Sequence, residues 1–251
     1  MATLSELQPY EPDWFLPEYQ PMRSGGWEIR VDYGVLAQGY WSPAQLVGTL
    51  PALLRGDEVW MSLTPVEMES QAIGLALSQG HVAIMGMGMG WVAMATALRD
   101  EVTRVTVVER DDDVLAIHRA LNLFEQLPDA ARAKLEIVQA DALEWRPDVP
   151  VDLLMPDIWL PLVSDGRVEE VRRMQANVQA DAIYFWGQEL EIARHTRAAG
   201  RALDEDGIAA TIKDFALPLI GPDYSGHAAI VAIAAQRWMR GRWLPGTDLS
   251  E

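Results

Sequence analysis

The sequence predicts an α/β protein built on a doubly wound, mostly parallel sheet, with a small β-sheet before it and an antiparallel hairpin at its end. Three observations favour this fold class. Short apolar runs alternate with amphipathic segments from residue 81 onward. These runs are apolar on both faces, as are strands of a parallel sheet covered on each side. The first run ends in a glycine-rich turn, within HVAIMGMGMGWVAM (residues 81–94).

The N-terminal quarter of the chain predicts an arm followed by a small sheet. Residues 1–26 are rich in proline, which is typical of an extended arm laid on a partner subunit. Three β-like runs follow, separated by glycine and proline: WEIRVDY (27–33), VLAQGYW (35–41) and EVWMSL (58–63). We therefore expect an arm and small β-sheet domain over residues 1–63 and a larger α/β domain over residues 64–251.

A helix is predicted to begin at Thr64-Pro65-Val66-Glu67. Threonine at the N-cap, proline at the first helical position and glutamate three residues after the cap form a capping box. The helix should continue to about Ser78. We assign Glu67 and Glu69 to helix capping rather than to chemistry.

The rest of the chain divides into strands and helices by its apolar pattern. Strands are predicted at 81–86, 104–109, 135–140 and 151–156, and helices at 91–99, 112–126 and about 167–179. Residues 180–200 fit either a fifth strand at their start or one helix throughout. The runs GIAATIKDF (207–215) and HAAIVAIAAQRW (227–238) predict the terminal hairpin.

Composition excludes several classes of function. The chain has 37 acidic and 20 basic residues, a formal net charge of −17, and no cluster of lysine and arginine. A protein that binds phosphate backbones needs such a cluster, so nucleic acid is not expected as a partner. The chain has no cysteine, which excludes disulfides, thiolate nucleophiles and cysteine-bound zinc. Its four histidines share no metal-ligand spacing, so no metal is expected.

The apolar runs are too short for a membrane helix, which needs about 18 apolar residues or more. The N-terminal segment carries acids and prolines where a signal peptide has a basic start and an apolar centre. We expect a cytoplasmic protein without a membrane partner, and a homodimer assembled through the arm and the early strands.

Four strand ends carry candidate binding residues. Gly86, Gly88 and Gly90 follow the first strand of the parallel sheet, Glu109 ends the second, Asp141-Ala142 follow the third and Asp157 follows the fourth. Each has a plainer explanation, such as a tight connection, an Asx-turn or a solvated acid. Because all four fall at the ligand-binding edge of one sheet, together they predict a site.

The motifs VAIMGMGMG, VTVVERD, EIVQADALEW and VDLLMPDIWLP resemble those of class I S-adenosylmethionine-dependent methyltransferases. Within that Rossmann-like fold, the order of elements over residues 27 to 165 is most similar to the spermidine synthase branch. The resemblance implies S-adenosylmethionine as cofactor. It implies that Gly86, Gly88 and Gly90 receive the methionine part, that Glu109 holds the ribose, and that Asp141 with Ala142 hold the adenine.

The chain departs from spermidine synthases at two acids. Met89 stands where those enzymes typically have an aspartate in the glycine turn, and Leu160 stands where they have a second acid after the fourth strand. A polyamine needs carboxylates around its cationic nitrogens, so these changes argue against a polyamine acceptor. We expect a methyltransferase acting on a small molecule of apolar character, with Asp157 as general base or acceptor-positioning residue.

Other functions stay open. An aminopropyltransferase shares the fold, and so does a non-catalytic nucleotide-binding or assembly protein. A nicotinamide dehydrogenase fits Gly88-Met89-Gly90-Trp91-Val92-Ala93 but gives Asp141-Ala142 no role. We expect the acceptor to be contacted by the N-terminal sheet, the loop after Asp157 and the 216–227 loop with Asp223, Tyr224 and His227. Either Trp91 or Trp159 could roof a nucleoside pocket.

Overall fold

A computed structural model describes residues 8–222 and 224–247. The N-terminal part forms a four-stranded antiparallel sheet in the order β1-β2-β3-β4. Its strands are β1 (Met22–Ser24), β2 (Trp27–Ala37), β3 (Gln45–Arg55) and β4 (Glu58–Ser62). The predicted runs at 27–33 and 35–41 are largely one strand, which ends at Ala37. Strand β3 was not predicted, because Gly48 and Pro51 interrupt its apolar pattern.

The larger part is built on a five-stranded sheet with every pair parallel. Its strands are β5 (Gly80–Met85), β6 (Val102–Glu109), β7 (Leu135–Gln139), β8 (Leu153–Pro156) and β9 (Ala182–Ile183). The order β7-β6-β5-β8-β9 reverses direction beside β5, which is the arrangement of a doubly wound Rossmann-like sheet. The predicted fold class and its four strands are confirmed. Strand β9 shows that the start of segment 180–200 is a strand.

Eight α-helices lie in the described part of the chain. They are α1 (Pro65–Leu77), α2 (Trp91–Ala97), α3 (Asp112–Leu121), α4 (Asp129–Arg132), α5 (Arg167–Val178), α6 (Gln188–Ala198), α7 (Glu205–Phe215) and α8 (His227–Trp238). The predicted helix at 112–126 is interrupted at Asn122, which has φ 47° and leads into a short 3-10 turn at Leu123–Gln126. None of the described helices is long and apolar enough to cross a membrane.

The predicted terminal hairpin is wrong, because both of its segments are helices. In α7 the buried residues Gly207, Ile208, Thr211 and Phe215 lie on one helical face. The Asp204 side chain accepts a hydrogen bond from the Gly207 N–H and caps the helix. The second segment, α8, is rich in alanine, the residue with the highest helix propensity.

The predicted capping box at the start of α1 is also wrong. Thr64 is the N-cap residue but its side chain makes no capping hydrogen bond, and its hydroxyl instead lies 3.1 Å from that of Ser62. The Glu69 carboxylate accepts hydrogen bonds from the Trp41 and Ser42 N–H groups. Glu67 lines a cavity described below.

Residues 8–21 of the predicted arm pack on their own chain. The Tyr10 N–H donates to Leu46 O of β3 at 2.9 Å. The Trp91 indole donates to Phe15 O, and the Tyr19 hydroxyl donates to Met89 O at 2.8 Å. The described part of the arm therefore packs across the glycine turn of its own chain, and the expected contact of the arm with a partner subunit stays a prediction.

Both faces of the parallel sheet are covered, as its apolar strands predict. Val82 and Ile84 of β5 belong to one buried cluster, and Ala83 and Met85 to the other. The first cluster also contains residues of the N-terminal sheet, among them Met61. The two sheets thus share a core, and the proposed division into domains at 63/64 stays a prediction.

Candidate functional site

A cavity of about 670 Å³ opens at the carboxyl ends of β5, β6, β7 and β8. Six of the seven predicted site residues line it: Gly86, Gly88, Glu109, Asp141, Ala142 and Asp157. Gly90 lies outside this lining. The structure therefore brings together the four strand ends that the sequence singled out.

The glycine turn after β5 is tightly enclosed by protein atoms. Gly86 has φ 97°, and a Cβ on it would lie 2.1 Å from Asp157 O, so only glycine fits. Over Gly88 lies the side chain of Met61 from β4, and its sulfur is 3.1 Å from the Met89 nitrogen. A residue of the N-terminal sheet therefore covers one of the N–H donors of this turn.

Gly90 has a packing role that needs no ligand. It is the N-cap of α2, with φ 77°, and a Cβ on it would lie 2.5 Å from His118. The His118 imidazole lies 3.0 Å from Gly88 O through Nε2. Burial lowers the pKa of His118 to about 4, so the ring is neutral at pH 7 and its Nε2–H donates to that carbonyl.

Glu109 ends β6 and joins the glycine turn to the start of α3. Its carboxylate accepts hydrogen bonds from the Met87 N–H at 3.0 Å and the Asp111 N–H at 2.8 Å, one on each oxygen. A carboxylate offers about four acceptor positions, so both oxygens keep capacity for a ligand in the cavity. Only 9% of the residue is exposed, which strengthens any hydrogen bond formed there.

The N-terminal sheet is fixed over the cavity through the first turn of α3. Asp111 caps this helix by accepting a hydrogen bond from the Asp113 N–H. The second oxygen of Asp111 accepts from the Trp27 indole at 2.8 Å, and the Ser24 hydroxyl donates to Asp113 at 2.7 Å. The cavity is consequently a space between the two sheets, with walls from both.

Asp141 and Ala142 follow β7. One carboxylate oxygen of Asp141 accepts from the Leu143 N–H at 2.9 Å, forming an Asx-turn. The other lies 3.9 Å from the Arg110 guanidinium, at a distance and exposure where an ion pair contributes little. The side chain therefore keeps an oxygen available toward the cavity, and the buried Ala142 gives an apolar wall beside it.

Asp157 and Glu67 are two acids that line the same cavity and interact electrostatically, and we call them the carboxyl pair. The Gln71 side chain of α1 donates to Asp157 at 2.9 Å. Burial raises the pKa of Asp157 to about 7, against the opposing effects of the Arg167 charge and the Gln71 hydrogen bond. Burial, and then the charge of Asp157, raise the pKa of Glu67 well above its usual range. The pair therefore holds a proton near neutral pH.

Glu67 and Arg167 are site residues that sequence reasoning missed. Arg167 begins α5 with its guanidinium buried, donating to Leu162 O at 2.7 Å, to Trp186 O at 3.0 Å and to Pro161 O. These bonds hold the loop that follows Asp157. Its charge lies over the Trp159 ring, 4.5 Å from the centroid, and burial lowers its pKa to about 10.

Three tryptophans line the cavity: Trp27, Trp60 and Trp159. Trp27 and Trp60 belong to the N-terminal sheet and meet edge to face, with centroids 5.3 Å apart. Trp91, one of the two predicted roof residues, is fully buried outside the lining, so that prediction is wrong for Trp91. Trp159 does line the cavity, and its indole donates to Glu170.

The loop at 216–227 lies away from the cavity. Neither Tyr224 nor His227 lines it, and His227 is buried, which lowers its pKa to about 4. Asp223 lies outside the described residues. The N-terminal sheet and the loop after Asp157 do supply cavity residues, as expected.

No family model and no curated protein matches the chain. Solved structures similar to part of it include the methyltransferase domain of bacterial CtHen1, with 14% identity over 47% of this chain and 65% of that chain, at a TM-score of 0.38. A second is the glycopeptide N-methyltransferase MtfA complexed with S-adenosyl-L-methionine. It has 18% identity over 44% of this chain and 48% of that chain, at a TM-score of 0.34. A third is the DhpI–SAH complex, with 21% identity over 44% of this chain and 48% of that chain, at a TM-score of 0.31. This chain spans about half to two thirds of those solved chains, and its relation to the spermidine synthase branch stays a prediction.

Proposed function

We propose that this chain is an S-adenosylmethionine-dependent methyltransferase acting on a small molecule of apolar character. The observation that supports this most is the meeting of Gly86, Gly88, Glu109 and Asp141 in one cavity. The cavity lies at the carboxyl edge of a doubly wound sheet, where such folds bind nucleotides.

The residues present fit an adenosine. A volume of about 670 Å³ lies within the roughly 300–1,000 Å³ of small-molecule sites. Glu109 keeps acceptor capacity on both oxygens for a pair of ribose hydroxyls. The Asp141 carboxylate can accept from an adenine amino group, while Val108 and Ala142 offer apolar contact to the ring.

The methionine end of the cofactor meets a less open environment. The Met87 N–H already donates to Glu109, and the Met89 N–H is covered by Met61. The glycine turn therefore has few free donors for a carboxylate tail. Arg55 lines the same cavity and can supply the positive charge that such a tail needs.

S-adenosylmethionine, when bound, supplies a methyl carbon on a sulfonium sulfur that a nucleophile can attack by in-line displacement. The chain's own contribution is to align the acceptor, exclude water and take up the acceptor's proton. With its pKa raised to about 7, Asp157 is suited to that last role near neutral pH.

The proposal is tested by thermal shift with five ligands: S-adenosylmethionine, its decarboxylated form, S-adenosylhomocysteine, methylthioadenosine and NAD. A ligand at 100 times its Kd stabilises the folded state by about 2.7 kcal/mol. For a protein of this size that raises the melting temperature by roughly 5–10 °C. We expect this for S-adenosylmethionine and S-adenosylhomocysteine. The change Glu109→Ala should weaken both by about 1–3 kcal/mol, whereas Glu205→Ala, at an exposed acid on α7, should leave binding unchanged.

Each other outcome contradicts the proposal in its own way. Stabilisation by NAD alone would favour a dehydrogenase, and preference for the decarboxylated compound would favour aminopropyl transfer. Binding without turnover of any acceptor would indicate a non-catalytic nucleotide-binding protein. No response to any adenosyl compound would remove the cofactor assignment.

A further inference from the structure

A second, smaller cavity of about 190 Å³ adjoins the large one. Trp60, Met61 and Glu67 line both cavities, so these three side chains form the wall between them. The volume is below the roughly 300 Å³ at which drug-sized ligand sites begin. The space therefore suits a single ring or a short chain.

The lining of the small cavity is mostly apolar. It includes Leu160, Leu162, Trp186 and Trp238. The indole N–H groups of the two tryptophans are engaged elsewhere, Trp186 with the Ser70 hydroxyl at 2.9 Å and Trp238 with a backbone carbonyl at 3.2 Å. Their rings therefore present carbon to this space, which favours an apolar occupant.

The shared wall carries two polar groups, the Glu67 carboxyl and the Trp60 indole N–H, which has no hydrogen-bond partner among the described residues. The Glu67 side chain has no hydrogen-bond partner within the part of the chain that the structure describes. The charge of Asp157, a second acid that lines the large cavity, acts on Glu67. Two neighbouring carboxyls with one donor between them, from Gln71, are best completed by a cation that donates hydrogen bonds.

Charge further limits the occupant to a single cation. Leu160 and the exposed Arg242 also line the small cavity. A second cationic nitrogen there would meet leucine and a like charge, and would lack a carboxylate partner. A polyamine is therefore a poor match. A molecule with one cationic nitrogen and an apolar body matches both the carboxyl pair and the apolar lining.

We propose that the small cavity is the acceptor-binding site and takes a monoamine with an aryl or short alkyl body. The amine nitrogen lies at Glu67 and Asp157, and the apolar body lies against Trp186 and Trp238. The carboxyl pair first takes a proton from the bound ammonium and so frees the nitrogen lone pair. That lone pair can then form the N–CH3 bond as the C–S bond of the sulfonium breaks, which leaves an N-methylammonium and S-adenosylhomocysteine. This assignment rests on the proposed function, because it supplies the acceptor for the methyl group.

The experiment measures binding by calorimetry, with 2-phenylethylamine as the probe in the presence of S-adenosylhomocysteine. The comparison ligands are 2-phenylethanol, which lacks the cation, and putrescine, which adds a second one. We expect the monoamine to bind at least tenfold tighter than either. Glu67→Gln should weaken the monoamine at least tenfold and leave 2-phenylethanol unchanged. S-adenosylhomocysteine binding by the same variant reports that it has folded.

A second variant tests the specificity directly. Leu160→Asp should weaken 2-phenylethylamine and strengthen putrescine, because it adds an acid to the lining of the small cavity. The matched control Leu36→Asp makes the same change at a leucine that is 55% exposed on β2, and should alter neither ligand.

Three results would overturn the assignment: equal binding of 2-phenylethanol, tighter binding of putrescine by the unaltered protein, or no binding of the monoamine. If S-adenosylhomocysteine binds in that last case, the proposed function stands and only the acceptor site fails. If the monoamine binds and S-adenosylhomocysteine does not, the site stands and the cofactor assignment fails.

Discussion

The change Glu189→Gln should remove a pH-dependent loss of stability. Glu189 is fully buried, and its carboxyl oxygens lie 3.0 Å from the Tyr184 hydroxyl and 3.3 Å from the Tyr40 hydroxyl. The Tyr184 hydroxyl is also 2.7 Å from Ser70 O. A phenol has one hydrogen and a carbonyl oxygen only accepts, so that hydrogen goes to Ser70. The contact with Glu189 is then satisfied when the carboxyl itself carries a proton.

The size of the pH-dependent change in the free energy of unfolding follows from the burial of Glu189. Burial raises the pKa of Glu189 from 4.5 to about 7, against the smaller opposing effect of the hydrogen bonds around the carboxyl. The unfolded chain releases this proton near pH 4.5, whereas the folded protein keeps it until about pH 7. The free energy of unfolding therefore falls as pH rises through this window, and is constant above it. Over about 2.5 pH units the loss amounts to about 3 kcal/mol.

Glutamine keeps the shape and one donor of the protonated carboxyl but does not titrate. Near pH 4.5 we expect the variant to lie within about 1 kcal/mol of the parent, which allows for one unpaired N–H of the amide. At pH 8 it should be more stable by about 2–3 kcal/mol. The measurement is urea unfolding, followed by tryptophan fluorescence and circular dichroism, at half-unit steps from pH 4.5 to 8.

Glu205→Gln serves as the control, because Glu205 is an exposed acid at the start of α7, and its profile should match that of the parent. Asp157 and Glu67 also have raised pKa values, so some pH dependence remains in every variant. Identical profiles for the parent and Glu189→Gln would refute the buried proton. Lower stability of the variant at pH 8 would refute it as well.

Two further changes probe the site and the glycine turn. Asp157→Asn should lower turnover by about 100-fold or more while cofactor affinity stays within threefold, because a general base acts on the acceptor. Turnover is measured by steady-state rate and affinity by calorimetry, and equal losses in the two would exclude the catalytic role. Gly90→Ala should lower the free energy of unfolding by about 2–4 kcal/mol, because φ is 77° and the new Cβ would lie 2.5 Å from His118. Gly166→Ala has φ 80° with open space around it and should cost about 1 kcal/mol; equal urea midpoints for the two variants would show that the His118 contact has no cost.

The strands of the large sheet and their site residues were predictable because both depend on local order. A run that is apolar on both faces identifies a covered parallel strand wherever it occurs. Once the strands are parallel, their carboxyl ends lie at one edge, so the residues after each strand are neighbours by topology. Glu109, Asp141 and Asp157 were placed in this way.

Glu67 and Arg167 were not predictable in this way, because their roles depend on residues distant in sequence. Thr64-Pro65-Val66-Glu67 satisfies the capping-box pattern in full, and no local feature shows that the carboxylate turns toward Asp157 instead. Arg167 looks like an ordinary first-turn residue, although its guanidinium holds the carbonyls of the loop before it. The terminal helices are a different case. The helical period of α7 and its Asp204 cap are present in the sequence, but the prediction gave more weight to the apolar runs and assigned strands.

Helix α1 links the chemistry of the two cavities to the buried network around Glu189. Ser70 receives hydrogen bonds from Tyr184 and from the Trp186 indole, which fixes the first turns of the helix. The same turns carry Glu67, on the wall between the cavities, and Gln71, which donates to Asp157. Because these groups share one helix, a change that displaces Ser70 should move Glu67 and Gln71 together.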